Sequence, residues 1–95
     1  MPYMPVSSKE MMRIAFTDDN ATAYPVQIAI VLDAAGEPED GDYHDATWDG
    51  TDATIVIGAG SAVELAEGEY AVWTRVTTAD ERPVRRSGTL TVGTP

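Results

Sequence analysis

A two-layered, all-β sandwich is the fold class this sequence predicts. Apolar residues alternate with other residues over short runs. The clearest are Tyr70-Ala71-Val72-Trp73-Thr74-Arg75-Val76-Thr77 and residues 84–92, where Arg86 is the one bulky lapse. A period of two marks strands with one buried face. Clusters of Gly, Pro, Asp and Asn interrupt these runs at close intervals, and no segment sustains a helical period. The chain has 95 residues, which suits one domain of roughly seven strands.

The elements follow in order. Residues 1–9 carry two prolines and little periodicity, and read as an extended N-terminal arm. Residues 10–95 form the sandwich domain. Its first strand is 10–16, with Met12, Ile14 and Phe16 on one face. Thr17-Asp18-Asp19-Asn20 is a turn cluster. Residues 26–32 make the second strand, with Val26, Ile28, Ile30 and Leu32 inward. Its other face, Gln27, Ala29 and Val31, is only half polar, which predicts a cover on that side too. Residues 33–42 are a Gly/Pro/acid loop. A short third strand spans 43–48, Asp49-Gly50 turns the chain, and 53–57 is a β-branched strand. Residues 58–61 connect to a short fifth strand at 62–65. Residues 70–77 and 84–92 complete seven antiparallel strands. The implied core is Ile14, Phe16, Val26, Ile28, Ile30, Trp48, Ile55, Ile57, Leu65, Tyr70, Val72, Val76, Leu90 and Val92.

Leu65-Ala66-Glu67-Gly68-Glu69-Tyr70 narrows the fold to an immunoglobulin-like β-sandwich. Leu-x-x-Gly-x-Tyr entering a strand is a corner in which the ring fills the bend and its hydroxyl bonds a backbone group upstream. A chain this short buries only roughly 60–70% of its surface, so a deep catalytic pocket is hard to accommodate.

Composition narrows the partners. There is no cysteine, so disulfides, thiolate metal sites and cysteine nucleophiles are excluded together. Their absence favours assembly in a reducing cell. No secretory leader or membrane-spanning run is expected. The net charge of −10 disfavours nucleic acid and anionic membrane, whose phosphates call for Lys and Arg. The charge is uneven. Eight of the sixteen acids lie within 33–52, and four of the six basic residues lie within 75–86.

No constellation selects a catalytic centre. The acidic run Glu37-Pro38-Glu39-Asp40-Gly41-Asp42-Tyr43-His44-Asp45 lacks the EF-hand spacing and its closing Glu. We therefore expect a solvated, self-repelling loop and no metal. His44 is the single histidine, and no spacing pairs it with a nucleophile. Gly58-Ala59-Gly60-Ser61 has no following Lys or helix to hold a phosphate, so it reads as a strand connection. No cofactor is expected. Trp73 is the more informative residue. Alternation puts it on the outer face with Arg75, opposite Arg85, Ser87 and Thr89 of the next strand. An exposed Trp among arginines has the composition of an interface centre.

The last hairpin, with Glu81-Arg82-Pro83-Val84-Arg85-Arg86-Ser87-Gly88-Thr89-Leu90-Thr91-Val92 as its return strand, resembles small proteins encoded among the virion genes of actinobacterial tailed phages. Trp48 in Ala46-Thr47-Trp48 and Pro25-Val26-x-Ile28-Ala29 fit the same pattern. The long acidic loop and the Met/Pro-rich start depart from it. The resemblance implies a non-enzymatic virion component of the head or head–tail region, assembled in the host cytoplasm. Its expected role is capsid decoration on the major capsid protein shell, with a head–tail connector as the alternative and homo-oligomers possible in the particle. The expected contact residues are Trp73, Arg75 and Arg85, with Pro2, Tyr3, Met4, Pro5 and Val6 of the arm as a second anchor. A carbohydrate-binding or adhesion module is a further alternative, in which Trp48, Trp73 and Tyr43 would stack on sugar rings.

Overall fold

The computed structural model describes residues 3–17 and 19–93. Eight strands are formed by these residues: β1 (Tyr3–Pro5), β2 (Lys9–Ala15), β3 (Val26–Leu32), β4 (Tyr43–Asp45), β5 (Thr47–Asp49), β6 (Asp52–Gly58), β7 (Gly68–Val76) and β8 (Val84–Gly93). They build two sheets, ordered β1-β8-β7-β3-β4 and β2-β6-β5. The rest of the described chain is loop and three short 3₁₀ turns, at Asp19–Ala23, Asp33–Ala35 and Asp40–Asp42.

The expected all-β, two-sheet architecture is present. The long period-two runs became β3, β7 and β8 and the β-branched run became β6, because each has one face that can be buried only between the sheets. Val26, Ile28 and Ile30 of β3, Tyr70, Val72 and Val76 of β7, and Leu90 and Val92 of β8 enter the core from the larger sheet. Ala53 and Ile57 enter from β6, and Met12 and Ile14 of β2, Phe16, Trp48 and Ile55 pack against them. Burying a Val, Leu, Ile or Phe side chain is worth about 1.5–3 kcal/mol, so this layer is the main source of stability.

Four elements differ from the sequence reading. The strand expected at 43–48 is two strands in different sheets. Tyr43–Asp45 pairs with β3, Thr47–Asp49 pairs with β6, and Ala46 crosses between them while its N–H bonds the Val26 carbonyl. Residues 62–65 form no strand, although Val63 is buried in the core. The pairing is not wholly antiparallel, since β1 runs parallel to β8 with Met4 opposite Val92. Met4 is 2% exposed, so this part of the arm belongs to the sandwich. Leu32, expected inward, is 52% exposed at the end of β3.

The corner before β7 is as expected. The Tyr70 hydroxyl donates to the Ala66 carbonyl at 2.8 Å, and its ring is buried. Gly58 is required for a different reason. Its φ is +101°, and a Cβ there would lie 2.1 Å from the Ser8 carbonyl oxygen. The backbones of β6 and the entry to β2 therefore meet where only glycine fits.

Candidate interaction surface

The outer face of the five-stranded sheet carries the most chemistry. Residues paired in register share a face. Tyr43, Ala29, Trp73 and Arg86 therefore form one row across β4, β3, β7 and β8. Asp45, Gln27, Arg75 and Val84 form the next. Ala29 is fully buried between its two aromatic neighbours, and Trp73 is partly buried.

A β-bulge sets which arginine joins this face. Val72 pairs with Gly88 but Trp73 pairs with Arg86, leaving Ser87 unmatched. One extra residue reverses the alternation in the first half of β8. Arg86, the apparent lapse in the inward series, thus turns outward beside Trp73. Arg85 faces inward opposite Thr74, and Val84 lies opposite Arg75. The expected trio Trp73, Arg75 and Arg85 is split between the two faces of the sheet.

The acidic loop 33–42 folds back over this outer face as a strap. Asp33 pairs with Arg86 at 2.9 Å, while Asp40 pairs with Arg75 and lies 3.8 Å from Arg82. Pro38 is buried, and with Glu37, Asp40, Tyr43, Arg75, Arg82 and Val84 it lines a cavity of about 300 Å³. A capping box ties the strap to itself, as Asp42 accepts from the Glu39 N–H at 2.9 Å. The loop is solvated as expected, with every residue but Pro38 exposed, but it does not repel itself into solvent: the basic hairpin holds it, because three arginines offset the repulsion among its acids. It is also the cover that the half-polar face of β3 predicted.

Arg75 is the centre of the arrangement. Its side chain is 8% exposed, whereas that of its partner Asp40 is 76% exposed. The guanidinium lies 4.0 Å from the Tyr43 ring centroid, a cation–π stack, and its Nε donates to Gln27 Oε1 at 2.9 Å. Gln27 in turn donates to Asp45 at 3.1 Å. The hydrogen bond from Arg75 and the charges of Arg75 and Arg82 hold the Asp40 carboxyl below its usual range. Burial pushes the Tyr43 phenol up, against the opposing pull of Arg75. Two polar atoms in this layer, the Tyr43 hydroxyl and Trp73 Nε1, are buried without a hydrogen-bond partner.

The remaining expected residues lie elsewhere. Tyr3 is 51% exposed, Met4 is in the core, and Pro5 and Val6 are partly buried. The Val6 N–H bonds the Gly93 carbonyl at 2.8 Å. Pro2 lies outside the described residues. Trp48 faces the core edge-on to Phe16 and donates to the Tyr24 carbonyl at 2.8 Å. It therefore shares no surface with Trp73 and Tyr43, and the three do not form a stacking strip. His44 lies opposite Ile28 and adjacent Asp45 points to the other face, so the two do not form a pair.

Arg85 borders a separate groove of about 410 Å³ at the end of the sandwich, lined in part by Phe16, Tyr24, Val76 and Pro83. It is the one arginine without a carboxylate partner among the described residues. Gly58 ends β6, and Ala59-Gly60-Ser61 opens the loop that leads to β7 rather than to the expected strand at 62–65. The Gly58 N–H bonds the Val63 carbonyl and Ser61 Oγ bonds the Gly58 carbonyl. Among the described residues, no group of three or more acids or histidines is placed to hold a metal ion. No helix there is long and apolar enough to cross a membrane.

Gln27, Asp40 and Arg82 were absent from the expected site, and Tyr43 was expected only in the carbohydrate-binding alternative. The signal for Asp40 and Arg82 was in the charge map, which set eight acids against four basic residues. What one sequence lacked was the register that brings them together. No family model, curated protein or solved structure matches the chain.

Proposed function

We propose that this is a non-enzymatic structural protein of a tailed-phage virion, a decoration subunit seated on the shell of the major capsid protein. The fold assignment within this reading is immunoglobulin-like. Naming β2 to β8 as strands B, C, C′, D, E, F and G gives GFCC′ facing BED, the order of immunoglobulin sandwiches. The Tyr70 corner at the start of the F-like strand supports the same assignment.

The observation that carries the functional reading is the C-terminal hairpin. Its residues resemble a virion-protein signature, and they form β7 and β8 near the centre of the larger sheet. The mechanism is adhesion in many copies, where a modest contact per subunit is strengthened by repetition. Exposed Tyr3 and exposed Arg85, which has no carboxylate partner among the described residues, are the accessible members of the expected contact set, with Trp73, Pro5 and Val6 partly accessible.

Co-sedimentation of the purified protein with undecorated capsids tests this. Saturable binding in hundreds of copies supports decoration. A single ring at one vertex would assign the head–tail connector role instead, and no binding to heads or connectors would overturn the virion reading.

A further inference from the structure

We propose that the Arg75–Tyr43 pocket is a receptor for a carboxylate side chain of a partner protein, and that Asp40 occupies it in the isolated molecule as an internal stand-in. The inference is independent of the virion reading.

The pocket has the build of a receptor. The Arg75 guanidinium is buried and fixed from two sides, by Gln27 in its plane and by the Tyr43 ring against its face. A planar, immobilised guanidinium recognises a carboxylate at little cost in ordering. Arg82 stands 3.8 Å from the carboxylate already present and supplies a second cation. The pocket retains about 300 Å³ of space, so the strap does not fill it.

The occupant is held from one side only. Asp40 is three-quarters exposed and sits on a three-residue 3₁₀ turn, beside Gly41, in a strap with no buried residue except Pro38. Its neighbours remain unsatisfied. The Tyr43 hydroxyl is buried beside Arg75 with no acceptor, and Trp73 Nε1 in the same row is buried with none. A buried donor left unpaired is costly and in native proteins calls for an explanation. An acidic segment lying along this row would supply the missing acceptors while taking the place of Asp40. The net charge of −10 opposes such a partner at long range, but at physiological salt this falls off within about 8 Å. Within that distance the ligand meets Arg75 and Arg82, with Glu37 the one other charged group on the lining once Asp40 is displaced.

The test uses ¹⁵N-labelled protein titrated with hexaglutamate, with hexalysine as control. The Trp73 indole N–H signal is assigned by comparison with Trp48→Phe. Hexaglutamate is expected to shift that signal saturably, and hexalysine is not. Asp40→Asn, which removes the stand-in, is expected to bind hexaglutamate about tenfold tighter, as for a receptor whose open form is roughly a tenth of the population. Arg82→Gln is expected to bind it more weakly. An unmoved Trp73 signal in the wild type and Asp40→Asn, or binding by Asp40→Asn no tighter than by wild type, overturns the proposal. If Asp40→Asn does not fold, the wild-type shift and its weakening in Arg82→Gln decide the matter alone.

Discussion

Substituting Gly58 with alanine tests the contact that seats the smaller sheet. The added Cβ would sit 2.1 Å from the Ser8 carbonyl oxygen, 3.1 Å from its carbon and 3.2 Å from the Lys9 Cα, all backbone atoms. Contacts under 3.0 Å are essentially never tolerated, so the chains must separate by at least 3.0 − 2.1 = 0.9 Å. That displacement breaks the bond from the Ala59 N–H to the Ser8 carbonyl, now 2.9 Å, and loosens the Lys9–Gly58 end of β2–β6. The φ of +101° adds about 1–2 kcal/mol for any residue with a Cβ. The lost hydrogen bond adds about 1 kcal/mol, and the forced shift about 1 kcal/mol more. The total is about 3–4 kcal/mol.

Gly60→Ala is the internal control. Its φ is +80° but nothing lies within 4 Å of the new Cβ, so it carries the dihedral penalty without the clash. Both changes reduce the entropy of the unfolded chain equally, so that contribution cancels in the comparison. Equilibrium urea unfolding with unchanged slopes should place Gly58→Ala about 2 kcal/mol below Gly60→Ala. Equal stabilities, within about 0.5 kcal/mol, would refute the close approach of β2 and β6 at this point.

Three further perturbations follow from the same structure. Tyr70→Phe removes the bond to the Ala66 carbonyl and should cost about 1 kcal/mol, measured by denaturant titration, since exposed Ala66 regains water. Met4→Ala should cost about 2–5 kcal/mol by the same assay, because the side chain is 2% exposed in the core; an unchanged midpoint would mean that the arm is not part of the sandwich. The Asp40 contact should fail in acid. Its folded pKa lies below the ordinary 3.8, so its contribution is fully present above that value and is lost as pH falls through the depressed one. Wild type should therefore be more stable than Asp40→Asn at neutral pH, with a gap that closes only below about pH 4. A gap independent of pH would exclude the ion pair as its cause.

Period-two alternation identified β2, β3, β7 and β8 and most of their inward faces, because alternation reports which side of a strand is dry, and β-branched residues identified β6. The Leu-x-x-Gly-x-Tyr run likewise identified the corner, since its ring, hydroxyl and glycine act within six residues of one another. What the tertiary structure decided was non-local. The change of sheet at Ala46 depends on which partner each half of 43–49 finds. The bulge opposite Val72 and Trp73 exchanged the roles of Arg85 and Arg86, which local periodicity cannot reveal when either register leaves one arginine on each side. The docking of the acidic loop depends on bringing Asp33 and Asp40 to arginines 35 or more residues away in the chain. Composition recorded both charges, and only the register of β3, β7 and β8 set them face to face.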